Sequence, residues 1–76
     1  MTRQKKWEYI RMLAGVTVDE LAQQREIVLG LEREQRTRAG KEAHRRMVVL
    51  VDAIGHFRFP TTYNRARNVA EAGRGK

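Results

Sequence analysis

Six bases fall within fourteen residues: Arg33, Arg36, Arg38, Lys41, Arg45 and Arg46. Each can neutralise a phosphate, and binding through such a set weakens steeply with salt because condensed counterions are released. Arginine in preference to lysine suits bidentate contact with phosphate, a guanine edge or a carboxylate. The competing reading is a solvated helix surface whose bases pair with Glu32, Glu34 and Glu42. A second group, Asn64, Arg65, Arg67 and Asn68, sets amides beside arginines, residue types that read base edges. His56-Phe57-Arg58-Phe59 interleaves aromatics with bases, as single-strand binders do. With only five aromatic residues in the chain, however, Phe57 and Phe59 are expected in the core.

Catalysis has less to stand on. His44 and His56 are twelve residues apart and lack a ligand spacing such as HExxH. Gly30, Gly40 and Gly55 are isolated, so no glycine-rich phosphate loop is present. The glutamates of the basic run serve more economically as ion-pair partners than as an acid–base pair. No enzyme activity, metal or cofactor is expected.

The chain has 76 residues and no cysteine. That length makes one domain, 1–76, which buries only about 60–65% of its unfolded surface, so stability is marginal without help. Disulfides and thiolate metal sites are excluded, which suits a reducing cytoplasm. No apolar run approaches the roughly 18–20 residues that span a bilayer. No apolar signal core follows Lys5 and Lys6, so a cytoplasmic protein without a membrane partner is expected. The net charge is +7 and unevenly spread. Residues 1–6, 32–46 and 58–76 are basic at +3, +3 and +4, while 7–31 and 47–57 are acidic at −2 and −1. Such a surface attracts polyanions, nucleic acid first and an acidic protein face next. Surplus arginine can also serve solubility alone.

The elements that must position these bases read as helices. Trp7, Ile10 and Leu13 or Ala14 recur at helical spacing over roughly 4–14, with Trp7 as core anchor and Gly15 as a left-handed end. Thr17 followed by Glu20 is a capping box, flanked by Val16 and Leu21 as a hydrophobic staple. Asp19 and Glu20 put negative charge where the helix dipole favours it. The helix they start carries a stripe of Val18, Leu21, Ala22, Val28 and Leu29, widened by Ile27 and Leu31. From Glu32 to Arg38 there is no apolar face. Glu32–Arg36 and Glu34–Arg38 are favourable i, i+4 pairs, so this helix is expected to reach about Arg38 and stop at Gly40. Ala43, Met47, Leu50 and Ile54 give a third helix ending at Gly55, although residues 47–51 also read as a β-prone strand. Residues 56–60 read as an extended connector because the residue before Pro60 avoids the helical region. Thr61 or Thr62 caps a last helix with Tyr63, Ala66 and Val69 or Ala70 on its apolar face, closed by Gly73. Residues 1–4 and 73–76 are expected to be disordered.

Gly15-Val16-Thr17-Val18-Asp19-Glu20-Leu21-Ala22 resembles the opening of a repressor-type helix-turn-helix. That family has a glycine where Glu26 stands here and apolar residues where Arg25, Glu32 and Gln35 stand. Only Ile27 fits the second half, and one continuous helix through Glu26 accounts better for the polar residues. The fold expected is therefore all-α, a small bundle of three to four helices centred on the helix from Thr17. The function expected is a small basic regulator of nucleic acid or of a nucleic-acid-processing machine. Its contacts would come from Arg33, Arg36, Arg38, Lys41, Arg45 and Arg46, with Arg65 and Arg67 assisting. The rival is a protein–protein effector, an inhibitor or adaptor whose arginines meet acidic side chains. Compact phage regulators of host transcription or defence share this scale and charge. A third reading is a self-associating helical protein, a homodimer that buries Val18, Leu21, Val28 and Leu31.

Overall fold

The computed structural model describes residues 2–74. They form four helices, α1 (Arg3–Leu13), α2 (Val18–Glu34), α3 (Arg38–Arg58) and α4 (Tyr63–Arg74), with no strand among the described residues. Residues 47–51 lie inside α3, so the strand alternative is overturned. The preceding helix-forming run and the packing of Val48 and Val51 outweigh local β propensity there.

The α2 capping box forms as its spacing requires. Thr17 Oγ1 accepts the Glu20 amide at 3.2 Å, and Glu20 Oε1 accepts the Thr17 amide at 3.3 Å. This cap starts the central helix, on which α3 and α4 both pack. Arg25 pairs with Asp52 and Glu32 with Arg45, so α3 returns antiparallel to α2. Arg65 and Ala66 stand by Val18 and Asp19 while Glu71 reaches Arg25, so α4 runs in the sense of α2. The slab they build has extents of 33 × 31 × 14 Å. Its core is small: Leu13, Leu21, Val28, Val51 and Tyr63 are almost wholly buried. Each contributes about 1.5–3 kcal/mol through removal from water. α2 is unbroken through Glu26, so the helix-turn-helix resemblance does not extend past Ala22.

Several boundaries differ from expectation. α2 ends at Glu34, residues 35–37 turn the chain, and Thr37 caps α3 by accepting the Gly40 amide at 3.0 Å. Gly40 is therefore inside α3 and does not end α2. A polar run with no face to bury stabilises no longer helix, whereas the turn lets Val48 and Val51 reach the core. The i, i+4 pairs across that break do not exist, and Glu32 meets Arg45 instead. Of the predicted α3 stripe, Ala43, Met47, Leu50 and Ile54 are half-buried; Val48, Val51 and Gly55 face the core.

Gly55 is not a terminator. The Tyr63 ring lies where a Cβ at Gly55 would stand, so glycine here permits close approach and α3 continues to Arg58. The connector is accordingly confined to residues 59–62. Gly15 is not left-handed either, since no described glycine has a positive φ. Instead, the Arg58 guanidinium donates to the carbonyls of Leu13 and Val16 at 3.0 and 2.8 Å, satisfying the end of α1. Thr2 caps α1, and α4 runs through Gly73. Met1, Gly75 and Lys76 lie outside the described residues.

Candidate functional site

The turn between α2 and α3 gathers the basic run. Gln35 donates to the Leu31 carbonyl at 3.3 Å as α2 ends, and the chain reverses over Arg36 and Thr37. Arg36, Thr37, Arg38, Lys41, Glu42 and Arg45 then line a shallow depression of about 350 Å3. Arg36, Arg38, Lys41 and Arg45 are exposed, and Arg33 is exposed in the last turn of α2. Arg45 Nη2 reaches Glu32 at 3.2 Å with 76% of its side chain in water, a geometry worth less than about 1 kcal/mol. That pair leaves Arg45 able to exchange its partner.

The electrostatics of this corner are one-sided. The first turn of α3 has no acidic residue, and its bases Arg38 and Lys41 stand at the positive end of the helix dipole. Side chains and backbone N–H groups there repel one another and favour an anion. The first turn of α2 has Asp19 and Glu20 in the corresponding place.

Arg46 projects to the other side of α3, where it lines a separate groove of about 360 Å3 with Lys6, Val49 and Leu50. Arg65 stands by Val18 and Asp19 at the opening of α2. That is the far end of a helix about 25 Å long. Arg67 is half-buried, and its Nε has no hydrogen-bond partner among the described residues. The predicted residues thus divide into one cluster of four with Arg33 beside it, and three that stand apart.

A further ionic cluster joins α2, α3 and α4. Arg25 Nε is 3.0 Å from Asp52 Oδ1, and its Nη1 is 2.8 Å from Glu71 and 3.1 Å from Glu26. Tyr63 donates its hydroxyl to the same Asp52 oxygen at 2.7 Å. Burial lowers the Arg25 pKa, but the charges and hydrogen bonds of Asp52 and Glu71 outweigh it, so the value is raised. The Tyr63 phenol is pushed well above its ordinary range by burial first and Asp52 next. This cluster ties three helices together. Sequence spacing gave no signal for it, because Arg25, Asp52, Tyr63 and Glu71 lie on three elements.

Two aromatics also break expectation. Trp7 is 58% exposed and Phe57 is 87% exposed, while Phe59 packs on the core. α1 packs on the core through Tyr9 and Leu13, and Trp7 precedes that contact. The stripe Val18, Leu21 and Val28 packs within the chain's own core. Ile27 and Leu31 lie outside that core, at 56% and 40% exposure.

No group of three His, Cys, Asp or Glu side chains among the described residues could hold a metal ion. No described helix is long and apolar enough to cross a membrane. The class defined is a small, strongly basic four-helix protein with a cationic inter-helix corner. Compared with protein-family models, curated proteins and solved structures, the chain matches none.

Proposed function

We propose that this protein is a non-enzymatic basic regulator that docks on nucleic acid, alone or within a processing machine, through its α2–α3 corner. One observation carries the reading: Arg36, Arg38, Lys41 and Arg45 converge on a depression at a helix N-terminus whose first turn lacks any acid. The cations and the dipole act in the same direction, on an anion presented from solvent. Arg33 extends the basic surface, and the cysteine-free composition suits action in a reducing cytoplasm.

The test is fluorescence anisotropy against duplex DNA, single-stranded DNA and RNA across a salt series. The wild-type protein binds with an affinity that falls steeply with salt, and Arg36→Glu/Arg38→Glu/Lys41→Glu loses more than about tenfold with unchanged circular dichroism. Unchanged affinity in that variant removes the corner from the reading. Arg45 already holds a carboxylate, so the corner also fits an acidic protein face. A pull-down with and without nuclease separates the two. A protein partner that survives nuclease and moderate salt replaces nucleic acid as the target.

A further inference from the structure

The groove between α1 and α3 combines charge with apolar surface, and exposed aromatics stand on both helices that form it. Lys6 and Arg46 line it with Val49 and Leu50. Because Lys6 meets the middle of α3 while Arg58 meets the end of α1, the two helices run in the same sense. Phe57 is eleven residues after Arg46 and seven after Leu50, so it continues the same side of α3. Trp7 lies about 100° around α1 from Lys6, on an exposed side that it shares with Arg3 and Arg11 one turn away in each direction. Val49 adds a further exposed apolar side chain at 61%.

Leaving Trp7 and Phe57 in water forgoes about 2–3 kcal/mol of burial for each, in a domain whose stability is small. The groove's charged lining residues are both cations, and Arg3 and Arg11 flank Trp7, so an anionic occupant meets complementary charge along this face. A second copy presenting the same face would set like charges together. An occupant with flat apolar rings on an anionic backbone matches both features.

We propose that the α1–α3 groove binds single-stranded nucleic acid, with Trp7 and Phe57 stacking on unpaired bases while Lys6 and Arg46 neutralise the adjoining phosphates. This rests on the nucleic-acid reading and deepens it. The α2–α3 corner supplies sequence-independent attraction to phosphate, and the groove selects strands whose bases are free to stack.

Trp7 is the sole tryptophan and gives a direct readout. Its emission is followed while the protein is titrated with a short oligothymidylate, with the matching duplex and with inorganic polyphosphate. The single strand is expected to change the emission and to bind more tightly than the duplex. Phe57→Ala weakens single-strand binding about tenfold and leaves duplex affinity unchanged. Phe57→Trp retains the affinity, which separates stacking from a packing effect. Equal affinity for single strand and duplex, with Trp7 emission unmoved, overturns the groove proposal and leaves the corner reading standing. Absence of binding to every nucleic acid overturns both. Sedimentation provides the last arm: if Trp7→Ala and Phe57→Ala instead abolish a self-association of the wild-type chain, the face is covered by a second copy and the proposal fails.

Discussion

Arg25 and Arg45 both sit on helices that pack together, yet their surroundings are opposite. Arg25 leaves 15% of its side chain exposed and meets Glu26, Asp52 and Glu71. Arg45 leaves 76% exposed, meets Glu32 alone, and shares its depression with three further cations and Glu42. At Arg25 the carboxylates outnumber the cation, so the guanidinium acts as a fastener between three helices. At the corner the cations outnumber the acids. The unmet capacity faces solvent, where it costs little to keep and is free to be used by a ligand. Residue type alone separates nothing here; the local ratio of partners does.

The largest expected effect breaks the buried side of that comparison. Arg25→Met keeps the apolar stem and leaves Asp52 without its cation and Glu71 without its cross-helix partner, which costs about 3 kcal/mol. For a domain of this size that lowers the Tm by roughly 15 °C, read by thermal circular dichroism. Arg45→Met changes stability by less than about 0.5 kcal/mol. Equal losses in the two variants would erase the distinction.

A middle-sized effect tests the cluster through pH. The Tyr63 pKa is raised in the fold above its unfolded value of about 10, so its contribution is fully present below that value and is lost as pH rises through the folded one. Denaturation of the wild type at rising alkaline pH therefore shows a loss that Tyr63→Phe reduces. Tyr9, also raised through burial despite its bond with Gln24, leaves a residual dependence. At neutral pH the phenylalanine variant costs about 1 kcal/mol for the lost hydrogen bond to Asp52.

The smallest effect is the sharpest in sign. Lys41→Glu places an acid near the positive pole of α3 and stabilises the fold by a few tenths of a kcal/mol, read as a small rise in urea midpoint. If the corner binds nucleic acid as proposed, the same substitution weakens that binding. A variant that gains stability while losing affinity identifies a corner kept cationic at the expense of the helix. Loss of both would reassign Lys41 to the fold.

Local chemistry was legible in the residues. Thr17 and Glu20 specify the α2 start because both hydrogen bonds lie within one turn of chain. Leu21, Ala22 and Val28 reveal the buried side of α2 through helical spacing alone. The basic run was visible as composition, and four of its six bases do share one depression. The end of α2 was obscured because Thr37 has Gly40 rather than glutamate three residues on, so half of the capping-box signal is missing.

What the sequence by itself determined is the set of interactions that close within about one helical turn: helix identity, the α2 cap, the all-α class and the surplus of positive charge. The tertiary structure alone decided which arginines are buried among carboxylates and which face water, and that Trp7 and Phe57 are exposed. It also set Gly55 against the Tyr63 ring. Each of these depends on groups far apart in the chain meeting across helices, and their distances are set by how α1, α3 and α4 pack around α2.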